Sequence, residues 1–372
     1  KTVADKDAKI QSVAKDADGN LVVTYADGSQ AKKPLSEFVN VAPTVELPYS
    51  NEANKQIYVY TGENTDLTFK ATDNTAVKDM YVRGPGGIGE DNTARYGFTT
   101  GKIENSAVTH GDGTVSGATA TIKMTGVTTL TAPNRWTSFV VANDNDNAPS
   151  NTDFNALDKN PNATQTPGYV QFIVKNQTSK YDIAAPTEKV AVTDPANVTQ
   201  DELDKIKEKL QIEYSNSNDD ANLAEKKGKA VDAEDAKTKI KSVEKDANGN
   251  LVVTYTDGST DTKPLSEFVT LDKQPAIAEV NKAAEKQIEA INNNTEATKE
   301  EKDAAIAKVN ADKEKALADI AKPEVTTKDA LDKAQTAGTD AIAKDNPVVA
   351  KKPAAKKAVE DALKDKVAAI DA

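Results

Sequence analysis

Three kinds of hydrophobic pattern follow one another along the chain. Between Ile10 and Val39, short β-rich runs alternate with turn dipeptides: residues 21–25 lie between Asp18-Gly19 and Asp27-Gly28. The pattern returns between Ile240 and Val269, where residues 251–255 lie between Asn248-Gly249 and Asp257-Gly258. The two segments are identical at 23 of 30 positions, which makes them an internal repeat. Each copy predicts a small meander with a Pro-Leu-Ser-Glu-Phe-Val exit, too small to bury a core alone.

The second copy is preceded by a helical pattern. In residues 193–214, Asp194-Pro195 opens the stretch, Thr199 is a good N-cap, and Leu203, Ile206 and Leu210 recur at helical spacing. A helix on a small sheet would complete one module. The first copy has no such helix, so it reads as the tail of a truncated module.

Between the copies the period is two. Runs at 44–47, 56–60, 66–71, 78–83, 118–124, 136–142 and 168–174 are punctuated by Gly, Asn and Asp. Short strands at this density predict an antiparallel sandwich.

After Phe268 there is no aromatic residue, and the period becomes helical. Ile277, Val280, Ala284, Ile288 and Ile291 mark one stripe. Ile306, Val309, Leu317 and Ile320 mark a second, and Leu331, Ala334 and Ile342 a third. Thr298-Lys-Glu-Glu301 is a capping box, and Thr327 a second N-cap. Breaks at Asn292–Asn294 and Pro323 predict antiparallel neighbours, hence a three-helix bundle. Val359, Leu363, Val367 and Ile370 begin a further helix.

The fold class expected is therefore multidomain β + α/β + α: an antiparallel β-sandwich, a small α/β module and a C-terminal antiparallel three-helix bundle repeat. The expected boundaries are 1–41, 42–184, 185–272, 273–346 and 347–372.

Composition narrows the function. The 47 Lys and Arg against 59 Asp and Glu give a net charge of -12, which argues against nucleic acid or anionic membrane as a partner. No cysteine is present, so disulfides and thiolate metal sites are excluded. No run of about 18 apolar residues exists to span a membrane. The single histidine, His110, sits in a Thr-His-Gly-Asp-Gly turn with no orienting group or nucleophile beside it. Gly84-Pro-Gly86-Gly-Ile-Gly89 fits Gly-x-Gly-x-x-Gly, but no helical pattern follows, so it reads as a loop. The chain is expected not to be an enzyme. Asp144 and Asp146 offer oxygen ligands that suit calcium, although such Asp/Asn-rich loops are usually solvated turns. No other cofactor is expected.

Two stretches resemble known families. Residues 189–271, with Asp194-Pro195 and Tyr255-Thr-Asp-Gly-Ser259, look like the atypical Rib domain of Gram-positive cell-surface proteins, a spacer element. The tail from Ile291 to Ile342 is similar to the helical tandem repeats of giant matrix-binding surface proteins of staphylococci and streptococci.

The sandwich is similar to the V-set-like, Siglec-like domains of streptococcal serine-rich-repeat adhesins, which implies a V-set-like antiparallel β-sandwich here, beside the Rib-like α/β spacer module. The similarity runs through VYTGE at Val59, FKATDN at Phe69, WTSFVVAND at Trp136 and GYVQFIV at Gly168. In length and neighbouring modules it also resembles fibronectin-binding streptococcal repeats of the SSURE type. In the Siglec-like family an aromatic-Thr-Arg motif engages sialic acid. The matching positions are Trp136, Thr137 and Ser138, so serine stands in place of the guanidinium that grips the carboxylate. Arg135 is nearby and should face the opposite side of the strand from Ser138. Trp136 and Tyr169 are candidate binding aromatics, although a core position is the commoner one for a sandwich tryptophan.

The resemblances imply an extracellular adhesin, anchored to the cell wall by a sorting signal outside this sequence. Its partner would be a sialoglycan or a host matrix glycoprotein such as fibronectin, and it would be an elongated monomer. The rival expectation is a structural stalk without a ligand.

Overall fold

The computed structural model describes residues 9–39, 41–74, 76–83, 96–109, 115–144 and 167–371. It divides into two compact units: residues 1–182 with 212–241 and 254–260, and residues 183–211 with 242–253 and 261–372.

The first unit opens with an antiparallel meander, β1 (Ile10–Lys15), β2 (Asn20–Tyr25) and β3 (Gln30–Pro34). Its turns are Asx turns, as the Asp-Gly dipeptides predict. Asp16 accepts from the Asp18 N–H at 3.1 Å, and Asp27 from the Ser29 N–H at 2.9 Å. Ile10, Val13, Tyr25 and Phe38 are exposed.

The sandwich follows, with β4 (Thr44–Glu46), β5 (Gln56–Tyr60), β6 (Asn64–Asp73), β7 (Val77–Arg83), β8 (Phe98–Thr100), β9 (Glu104–Thr109), β10 (Val115–Val127), β11 (Asn134–Asp144) and β12 (Tyr169–Lys175). One sheet runs β4-β6-β10-β8, with β9 also on β10; the other runs β5-β12-β11-β7. The first strand is thus split between sheets. Its second half, β5, pairs parallel with β12, while the remaining pairs are antiparallel. That arrangement is an antiparallel sandwich, as the pattern predicted, and V-set-like, as the resemblance implied. β8 and β9 are additions to the strands expected.

Alternate residues of each strand meet between the sheets. Phe69, Phe98, Ile122 and Met124 come from one sheet; Ile57, Val82, Trp136, Val140 and Phe172 come from the other. Trp136 is stacked between Tyr96 (4.9 Å between centroids) and Phe172 (4.6 Å). Gly168 has φ +75°, and a Cβ there would collide with the Val140 carbonyl, so the tight entry into β12 needs glycine.

Beyond the sandwich come β13 (Tyr181–Ala184), β14 (Val190–Val192), α1 (Gln200–Lys209), β15 (Gln211–Tyr214), α2 (Ala233–Lys239), β16 (Ile240–Lys245), β17 (Asn250–Tyr255), β18 (Thr260–Pro264) and β19 (Val269–Leu271). β16, β17 and β18 form the second meander.

In the second unit, β14 pairs parallel with β19, and α1 packs on β14. Thr199 caps α1 through a reciprocal box with Glu202, as its position predicted. Leu203 and Ile206 give the buried face of this helix.

The same unit ends in α3 (Gln274–Asn293), α4 (Lys299–Ala321), α5 (Lys328–Ala343) and α6 (Lys351–Asp371). The first three pack as a bundle around Val280, Ala284, Ile291, Val309, Ile320, Leu331 and Ile342. Thr298 forms a capping box with Glu301, and Thr327 caps α5. The other oxygen of Glu301 accepts from the N–H groups of Ala350 and Lys351, both at 2.9 Å, at the start of α6. On α6, Val359, Leu363, Val367 and Ile370 are exposed. Among the described residues no helix is long and apolar enough to cross a membrane.

Candidate functional site

Strand parity decides which side chains of β11 can reach a ligand. Trp136 and Ser138 share the inward face with Val140 and Ala142. Trp136 is 6% exposed within its aromatic stack, and Ser138 is 1% exposed with an Oγ that finds no hydrogen-bond partner among the described residues. Arg135 and Thr137 face the other way; Arg135 is exposed and Thr137 half-buried. The aligned Trp-Thr-Ser triplet is therefore divided by the pleat, with only its threonine on the outer face.

That outer face carries a cross-strand row. Gln56 on β5 is in register with Gln171 on β12, and Gln171 with Thr137 on β11. The Gln56 amide donates to Gln171 Oε1 at 2.9 Å. One row toward the start of β11 lies Arg135, opposite Ile173. One row the other way lies Phe139, flanked by Tyr169 and by Arg83 of β7. Each row is about 7 Å from the next along the strand. The half-buried polar row thus has one guanidinium at either side. Phe139 and Tyr169 meet edge to face at 5.7 Å and pack with Val141 and Tyr81. Tyr169 is only 8% exposed. Gln56, Gln171 and Arg83 escaped sequence reasoning. They lie on three different strands, and their common row exists only once the register is known.

Asp144 is fully buried at the end of β11. Asp146, like His110 and residues 84–89, lies outside the described residues. Among the described residues no three acidic or imidazole groups converge as a metal site would require.

The opposite end of the same sheet holds a second polar cluster. Because β5 and β12 run parallel, they leave the sandwich at one end and bring Thr61–Glu63 beside residues 176–180. Glu63, 6% exposed, accepts from Lys180 (2.8 Å), the Gln177 amide (2.9 Å) and the Tyr181 hydroxyl (3.0 Å), with Lys239 at 3.4 Å. Burial pushes its carboxyl up, but Lys180, Gln177 and Lys239 outweigh that and hold it below the usual carboxylate range. A cavity of about 410 Å³ adjoins it, lined by Tyr58, Tyr60, Lys180, Asp220 and Asn222 among others.

Asp257 of the second meander completes this cluster. Its Oδ2 accepts from the Thr61 hydroxyl at 2.5 Å and the Gln177 N–H at 2.7 Å. Its own N–H and the Thr256 hydroxyl donate to Gln177 Oε1, both at 3.0 Å.

The described residues thus include a sandwich with a split first strand and a buried aromatic stack, a parallel strand pair with a helix packed on it, and a three-helix bundle. Residues 181–271 match the family model of the atypical Rib domain, and residues 272–350 that of a domain of unknown function, DUF1542. These two models carry the resemblance to a Gram-positive surface adhesin that the sequence suggested. No curated protein matches the chain.

Similar solved structures include the GspB Siglec domain, at 20% identity over 62% of this chain and 98% of that one, with a TM-score of 0.30. The SrpA adhesin from Streptococcus sanguinis is 18% identical over 63% of this chain and 96% of its own, with a TM-score of 0.36. The sialic acid binding region of the Streptococcus sanguinis SK1 adhesin, bound to 3'sLn, is 18% identical over 69% of this chain, with a TM-score of 0.38. The chain spans 56% of that region's length.

Proposed function

We propose that the chain belongs to a non-enzymatic surface adhesin, in which the sandwich binds an acidic host glycan and the other modules project it from the cell wall. The observation that supports this most directly is the outer-face row Gln56–Gln171–Thr137, with Arg135 and Arg83 one row to either side. Amides and a hydroxyl can exchange hydrogen bonds with sugar hydroxyls, and an exposed guanidinium can grip a carboxylate through two parallel bonds. A sialoglycan has both kinds of group. The proposal extends to this chain the ligand class named for the SK1 adhesin.

The test is a glycan array probed with the full chain, in parallel with immobilised fibronectin. Sialylated glycans should be retained, and Arg135→Ala should weaken binding by at least about tenfold, since a charge-assisted pair is worth roughly 1.5–3 kcal/mol. Arg135→Lys should recover only part of that loss, because an ammonium cannot form the bidentate fork. Binding that survives sialidase treatment, or that ignores Arg135, would exclude the acidic glycan. Binding to fibronectin alone would move the ligand to a matrix glycoprotein.

A further inference from the structure

The two meanders have nearly the same sequence but different surroundings. At the second, Asp257 Oδ1 holds the Ser259 N–H (2.9 Å) and hydroxyl (2.6 Å), which fixes the turn. Its Oδ2 is thereby aimed at Thr61 and Gln177. Lys239, whose carbonyl accepts from Thr256 N–H at 2.8 Å, reaches Glu63. Gly62 lies beside Asp257 at φ +71°, a left-handed conformation that favours glycine.

The first meander repeats the bonds within this turn. Asp27 Oδ1 holds the Ser29 N–H (2.9 Å) and hydroxyl (2.6 Å), and the Lys9 carbonyl accepts from the Ala26 N–H at 2.8 Å. Among the described residues, the hydrogen bonds to the Asp27 carboxylate all fall on Oδ1, and Lys9, Asp27 and Ser29 are exposed. The apolar residues beside the turn differ in the same way. Ile240 and Tyr255 are 6% and 0% exposed, whereas Ile10 and Tyr25 are 38% and 37% exposed.

We propose that Lys9 and the Asp27–Ser29 turn form a docking peg for a second β-sandwich of the same build as residues 42–182. The partner is defined by the chemistry of the socket: a threonine hydroxyl and a glycine in the turn after its first core strand, a buried glutamine after its last, and a carboxylate between them for the lysine. One bond of the set is lost, because Ala26 replaces Thr256. The charge-assisted bonds to aspartate remain, and these are the stronger ones.

The full chain can test this twice. Thr256→Ala with Thr260→Gln gives the second turn the sequence of the first. By hydrogen exchange the Gln177 N–H should stay protected in that variant, and lose about tenfold or more of its protection in Asp257→Ala. Loss of protection in the Thr256→Ala/Thr260→Gln variant, with the fold intact by circular dichroism, would overturn the proposal. For direct docking, the full chain carrying Asp257→Ala and Ser259→Ala, whose own turn has lost its carboxylate bonds to Thr61 and Gln177, is immobilised as bait. The unaltered chain should bind it, and the chain with Asp27→Ala and Ser29→Ala should bind at least about tenfold more weakly. No association, or association indifferent to Asp27 and Ser29, would refute the peg.

Discussion

The sandwich and the three-helix bundle solve the same problem with different materials. The sandwich core is filled by Trp136, Phe69, Phe98 and Phe172, drawn from strands far apart in sequence. The bundle core has no aromatic side chain and is filled by Val, Ile, Leu and Ala. Its helices compensate by close approach: Gly338 on α5 faces Ala316 on α4, and a Cβ at 338 would collide with the Ala316 Cβ. One core depends on large interlocking shapes, the other on small residues and well-made helix ends. The lesson is where each is vulnerable, and four substitutions probe it.

The largest effect should come from the aromatic stack. Trp136→Ala removes a ring held between Tyr96 and Phe172 and should cost about 3–5 kcal/mol, measured by chemical denaturation. A loss below about 1 kcal/mol would mean that the stack does not hold the sandwich together.

Next comes Glu63→Gln, which leaves Lys180 without its carboxylate and Lys239 with Asp235 alone. It should cost about 3 kcal/mol at neutral pH. The pH dependence has a definite sign. Glu63 has a folded-state pKa below its unfolded value, so its contribution is fully present above the ordinary carboxylate range. That contribution is lost as pH falls through the lowered folded-state value. The thermal midpoint of the unaltered chain should therefore fall more steeply below about pH 4.5 than that of the glutamine variant. Parallel curves would remove Glu63 from the balance.

In the bundle the effects are smaller. Gly338→Ala gains roughly 1 kcal/mol of helix propensity but overpacks the α4–α5 contact by about 1–3 kcal/mol, for a net loss near 1 kcal/mol. A gain in stability would show that the helices can move apart freely. Thr298→Ala removes the capping box and should cost about 1 kcal/mol by thermal unfolding, with the loss concentrated at the start of α4 by hydrogen exchange.

The same contrast explains what the sequence could reveal. Helix signals are local, so Thr199, Thr298 and Thr327 and the three apolar stripes could be read directly. α2 could not, because it is a single short helix that buries only Ala236. In the sandwich, β8 is three residues long, and Glu104–Thr109 has no regular apolar alternation. Around β11 the trouble is the reverse. Phe139 and Val141 are buried on the outer face while Val140 and Ala142 are buried on the inner one, so no period of two marks the pleat. That is why the Trp-Thr-Ser triplet reads as one motif in sequence and is divided in space. The Glu63 cluster gathers residues 61, 63, 177, 180, 239 and 257, and no local pattern joins positions so distant.

The carboxylate of Glu301 has a mechanical consequence. One oxygen closes the cap of its own helix; the other holds the first N–H groups of α6, about fifty residues later. A tensile load entering at Lys351 therefore meets these two charge-assisted bonds at the start of α4 before it can peel α5 away. The side chain acts as a clip that shelters the intervening helical hairpin from strain, and it releases that length only after it has let go.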